Sequence, residues 1–102
     1  MNLNEILHGE SKNIEYKVEL PKKSEKYLKS VIAFANTSGG SLIIGIDDES
    51  GKIIGVDEKS VFQIMDSIAN AVADGCEPQI IPDIAFQTIK EKCIVIVTIY
   101  PG

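Results

Sequence analysis

The chain has 102 residues, 44% of them apolar and 25% charged, with a formal net charge of −5. That length suits one domain with a modest core, and the abundance of Val, Ile and Leu excludes an intrinsically disordered chain. All ten basic residues are Lys, so the guanidinium fork that reads guanine is absent and nucleic-acid contacts are expected on the phosphodiester backbone.

Residues 2–9 are expected to form a short helix, with Leu3, Ile6 and Leu7 on one side and Gly9 ending it. The stretch NIEYKV, 13–18, alternates as a half-buried strand. Ile14, Tyr16 and Val18 are assigned to the core side, and Glu15 and Lys17 to a solvent-accessible face. Pro21 breaks that pattern, and Ser24 is placed to cap a helix with Tyr27, Leu28, Val31, Ile32 and Ala35 at helical spacing. Asn36-Thr37-Ser38-Gly39-Gly40 ends it.

SLIIGID, 41–47, reads as a strand, DESG, 48–51, as a turn, and KIIGV, 52–56, as the returning strand of a hairpin. Residues 59–75 carry the strongest helical pattern, with Val61, Phe62, Met65, Ile68, Ala69 and Val72 as its apolar stripe. A loop through Cys76, Pro78 and Pro82 leads to DIAFQTI, a turn at 90–92 and CIVIVTIY. This is a second hairpin, whose edge at residues 92–100 is expected to be open to a second chain. The order is (α)βαββαββ. It predicts an α+β, two-layer domain over residues 1–102, with two main helices on one face of a mixed four- to five-stranded sheet. Because the chain stops at Tyr100-Pro101-Gly102, straight off a strand, it is expected to be the N-terminal fragment of a longer protein.

Several chemistries fail on spacing. Gly40 to Gly45 has the interval of a phosphate-binding P-loop, but Ile46 stands where Lys is required. Gly45 to Gly51-Lys52 is one residue too long and carries Asp47, Asp48 and Glu49, which repel phosphates. ATP is therefore not expected. DDESG lacks the alternating acids of a calcium loop. Cys76 and Cys93 form no CxxC pair and, with one His, no zinc set, so both are expected to be reduced and buried. No apolar run approaches the roughly 18 residues of a membrane helix, and the first 13 residues have no signal pattern. A cytoplasmic chain without a membrane partner is expected.

Charge is unevenly spread. Residues 12–29 hold Lys12, Lys17, Lys22, Lys23, Lys26 and Lys29 against three glutamates, whereas 47–58 hold five acids against Lys52. If strand 13–18 lies beside strand 41–47, Asp47 or Asp48 approaches Glu15. Two carboxylates about 4 Å apart repel by roughly 4 kcal/mol at an effective dielectric near 20, which a divalent cation would relieve.

Three ordered blocks resemble a known family. Glu10-Ser11-x-x-x-Glu15-Tyr16-Lys17 is similar to its E-S-x-x-x-E-[FY]-K opening. Ala33-Phe34-Ala35-Asn36-Thr37-x-Gly39-Gly40 followed by Gly45-Ile46-x-Asp48 resembles the second block, and Gly51-Lys52-Ile53-Ile54-Gly55-Val56 the third. The family is the Schlafen AlbA-type domain, formerly the divergent AAA domain. Its bacterial and archaeal members head transcriptional regulators and helicase-related proteins.

The resemblance implies a DNA- or RNA-binding module, with Lys12, Lys17, Lys22, Lys23 and Lys26 as its phosphate contacts. Some animal members, similar to this chain at the same positions, cleave structured RNA with three acids and a metal. Their positions fall on Glu10, Glu15 and Asp48, which implies Mg²⁺ or Mn²⁺ and a metal-dependent nuclease as the alternative. A homodimerising or scaffold module is a third reading.

Overall fold

The computed structural model describes residues 13–102. The proposed helix at 2–9, Glu10 and Lys12 lie outside the described residues. Six regular elements follow in order: β1 (Ile14–Lys17), α1 (Glu25–Ala35), β2 (Gly40–Ile44), α2 (Val61–Gly75), β3 (Asp83–Ile89) and β4 (Lys92–Ile99). A 3₁₀ turn at Glu58–Ser60 leads into α2. The sheet order is β1-β2-β4-β3. β1 runs parallel to β2, and the other pairings are antiparallel.

α1 buries Tyr27, Leu28, Val31, Phe34 and Ala35, a stripe of helical period, while Ile32 faces outward. Ser24 precedes the helix as expected, but it works through its main chain. Its carbonyl accepts the amides of Tyr27 and Leu28 at 3.0 and 2.9 Å, and its hydroxyl makes no cap bond. α2 buries Val61, Ile68 and Val72, with Ile64 and Met65 partly covered. Its buried arc is rotated toward Ile64, which leaves Phe62 and Ala69 outside.

The core between the helices and the sheet is built on Leu42, Ile44, Val95, Val97 and Ile99. The opposite sheet face is apolar too: Tyr16, Ile43, Ile46, Ile89, Ile94 and Ile96 are buried there, with Ile14 and Ile53 beside them. Burial on both faces explains why β2 and β4 read as continuous apolar runs.

Two expectations are corrected. Residues 52–56 form no strand, so the sheet has four strands among the described residues. β2 ends at Ile44 because Gly45 takes φ +111° and its carbonyl receives the amides of both Ile54 and Gly55 at 2.8 Å. The returning segment touches the sheet only through the bridges Ile46–Ile53 and Val56–Cys93. The second correction concerns the open edge. β4 lies between β2 and β3, so the hairpin presents β3 at the rim, not residues 92–100. Both cysteines are free and buried as expected, and burial pushes the Cys76 thiol pKa up.

Candidate nucleic-acid interface

β1 sets Glu15 opposite Leu42 and Lys17 opposite Ile44. Directly paired residues share a sheet face, so Glu15 and Lys17 project on the helix-bearing side. Glu15 and Lys17 stay partly solvent-accessible, but on the helix-bearing face and not on an open one. Ile14 and Tyr16 join the apolar cluster on the far side as assigned, whereas Val18, beyond the end of β1, is exposed and not in the core. Alternation separates the two faces of a strand, but it cannot say which one carries helices when both bury apolar residues.

Glu15 lies at the rim of the helix layer. Its Oε2 accepts a hydrogen bond from Ser30 Oγ of α1 at 2.7 Å and sits 3.8 Å from Lys17 Nζ. Its side chain is 32% exposed, so water screens this pair. Ser30 escaped the sequence reading. The only available signal was a small polar residue one turn after Lys26, beside the apolar stripe.

Two contacts fix the direction of α1. Ser30 meets Glu15 in the middle of β1, and the Phe34 ring stands where a Cβ on Gly40, at the start of β2, would lie. α1 therefore runs back against the strands. Its N-terminal end shares one end of the domain with Lys17, at the end of β1, and with the turn that follows β2. Lys22, Lys23, Lys26 and Lys29 are exposed around that start of α1. Lys22 also borders an open cleft of about 650 Å³ between the start of α1 and α2.

The turn after β2 is tied by Asp47. Its Oδ1 accepts the Glu49 amide at 3.1 Å, its Oδ2 the Ser50 hydroxyl at 3.0 Å, and its carbonyl the Gly51 amide at 2.9 Å. These bonds make DESG a turn, as the spacing predicted. The Glu49 amide, and then the Ser50 hydroxyl, hold the Asp47 carboxyl below its usual pKa. A carboxyl depressed in the folded state stabilises the fold above its unfolded pKa, and that contribution is lost as pH falls through the folded value. In Ser50→Ala, the Asp47 midpoint followed by carboxyl ¹³C NMR is expected to rise toward the ordinary range. An unchanged midpoint would mean that the hydroxyl bond is not formed in solution.

Of the three acids singled out by motif, two are described. Glu15 is opposite Leu42, whereas exposed Asp48 lies four residues beyond the end of β2. Among the described residues no three His, Cys, Asp or Glu side chains gather as a metal set. Ser30 and Lys17 both contact Oε2 of Glu15, and one carboxylate does not by itself make a cation site.

The family model for Schlafen, AlbA_2 matches residues 10–102. The chain belongs to the Schlafen AlbA_2 family. The motif blocks, the element order and the four-stranded sheet agree with that membership. Two solved structures are similar. One is the N-terminal domain of an ATP-dependent DNA helicase RecG-related protein from Nitrosomonas europaea. It is 22% identical with a TM-score of 0.75, over 91% of this chain and 65% of that one. The other is the DIP2311 protein from Corynebacterium diphtheriae, 20% identical with a TM-score of 0.60, over 98% of this chain and 21% of that one. At those identities the likeness carries the fold, and the chain spans less than two thirds of either protein. No helix among the described residues is long and apolar enough to cross a membrane.

Proposed function

We propose that this AlbA_2 domain is a nucleic-acid-binding module of a regulator or helicase-related protein, gripping phosphates with lysines and reading few or no bases. The observation that carries it is the exposure of Lys22, Lys23 and Lys26 around the start of α1, at the end of the domain where Lys17 leaves β1. The helix N-terminus adds a favourable dipole for anions there. Family membership and the DNA-helicase-related neighbour support the same reading. Acids at the same end, Glu19, Glu25 and the turn at 47–49, keep the patch from being strongly cationic. Weak, salt-sensitive binding follows.

Binding of a duplex DNA and of a structured RNA should be measured by fluorescence anisotropy between low and moderate salt. The slope of log affinity against log salt is expected near −0.9 per phosphate contacted on DNA. Replacing Lys22, Lys23 and Lys26 together by Gln is expected to flatten that slope by about 2 to 3. Affinity that ignores salt, or that the triple variant leaves intact, would overturn the proposal.

A metal-dependent nuclease resting on Glu10, Glu15 and Asp48 is the second reading. The observation in its favour is that Ser30 holds the Glu15 carboxylate in one orientation. A cation would there neutralise carboxylate charge and activate water. Cleavage of structured RNA with Mn²⁺ that Glu15→Gln abolishes would favour it. Equal cleavage by the variant would assign the activity to a contaminant.

A further inference from the structure

Among the described residues the sheet ends in two edge strands, β1 and β3, of very different character. β1 is four residues long and carries Glu15 and Lys17, the charged, short kind of edge that resists pairing. β3 is seven residues long, contains no Pro or Lys, and has Asp83 as its single charge. Ala85, Phe86 and Thr88 are exposed along it. Phe86 is 47% exposed and meets Phe62 of α2, itself 67% exposed, edge to face with ring centroids 5.6 Å apart. Such an edge, with main-chain groups that no other described strand takes up and an exposed aromatic pair beside it, invites a partner strand.

The hairpin determines which main-chain groups are free. The two-residue turn Lys90-Glu91, with both φ values positive, closes between Ile89 and Lys92. Ile89 and Lys92 are then a hydrogen-bonded pair, and antiparallel pairs alternate in type. Gln87, Ala85 and Asp83 therefore spend their amides and carbonyls on β4. Those of Ile84, Phe86 and Thr88 point outward.

We propose that two copies of this chain associate through β3, antiparallel, with Phe86 on the two-fold axis. A two-fold axis relating antiparallel edge strands stands normal to the sheet, so it pairs residues of the same face. Centred on Phe86, it sets Phe86 against Phe86 of the second copy and Ile84 against Thr88, which uses all three outward residues in six hydrogen bonds. Centred on Ala85, it would bring Thr88 against Pro82, which has no amide to give. The charges agree with this arrangement. Asp83 stands opposite Ile89 of the other copy and Lys90, in the turn, opposite Pro82, so no like charges face each other along the seam. The four rings of Phe62 and Phe86 from both copies then line one continuous helix-side face of an eight-stranded sheet.

Sedimentation of the whole chain from micromolar to millimolar concentration tests this, together with amide hydrogen exchange at each concentration. The expected result is a reversible monomer–dimer equilibrium. With rising concentration, the amides of Ile84, Phe86 and Thr88 should gain at least tenfold protection, while those of Ala85 and Gln87 are already slow. Phe86→Lys, which places two like charges at the axis, should be monomeric throughout with an unchanged circular dichroism spectrum. Thr88→Pro tests the same edge independently: it removes an outward amide and leaves the main-chain hydrogen bonds to β4 in place, although the 3.5 Å contact of the Thr88 hydroxyl with the Cys93 thiol is lost, and it should weaken the dimer at least tenfold. A monomer at every concentration overturns the proposal. So does a dimer that survives both substitutions, or one that leaves the three outward amides unprotected.

Discussion

Replacing Ile44 by Ala is expected to lower the free energy of unfolding by about 2–5 kcal/mol. Ile44 ends an interior strand between Lys17 of β1 and Val95 of β4, and it is fully buried beneath the helices. Truncation removes apolar contacts on every side, and the flanking strands cannot collapse into the gap without giving up ladder hydrogen bonds. A domain of this size has roughly 5–15 kcal/mol in total, so the variant should unfold at a clearly lower urea midpoint with a similar m value. Ile54→Ala is the control. Ile54 is 47% exposed in the segment after β2, and its loss should fall within about 1 kcal/mol. Equal losses at the two isoleucines would mean that the core has been placed on the wrong residues.

Gly39→Ala is expected to cost about twice as much as Gly51→Ala. Both glycines have positive φ, +85° and +73°, so each Ala meets the left-handed penalty of about 1–2 kcal/mol. The surroundings differ. A Cβ at Gly51 meets nothing within 4 Å, whereas one at Gly39 would lie 2.7 Å from the Ile99 carbonyl oxygen and 3.1 Å from Pro101 Cδ. The oxygen belongs to the main chain at the end of β4, and it cannot rotate aside. Overpacking of that kind adds about 1–3 kcal/mol. Thermal unfolding of the two variants in parallel checks the difference, and equal melting temperatures would sink the argument.

The same comparison says what the motif around Gly39 is for. In Ala33-Phe34-Ala35-Asn36-Thr37-x-Gly39-Gly40, Phe34 accepts the Gly39 amide at its carbonyl and lays its ring against Gly40, where a Cβ would overlap it. Gly39 in turn lets the chain pass against β4. The pair of glycines serves close packing between α1 and the sheet, in agreement with the failed P-loop spacing. The block by which the family is recognised is, at these positions, a requirement of the fold.

Much of the architecture was legible in the order of the residues. β1, both main helices and the C-terminal hairpin follow from period-2 and period-3.6 patterns within one segment, and the DESG turn from the capacity of Asp47 to bond nearby main-chain and hydroxyl groups. The lysine-rich stretch from 17 to 29 and the three family blocks are likewise properties of the chain alone. Local pattern specifies backbone conformation and a burial phase, because both depend on neighbours a few residues away. What it could not carry is pairing between distant segments. That β4 sits inside the sheet and β3 at its rim depends on β2 choosing β4 as its partner, far along the chain. That Glu15 meets Ser30 of α1 depends on which of two apolar sheet faces the helices cover. Long-range packing made both choices, and with them the placement of the acids, the lysines and the free edge.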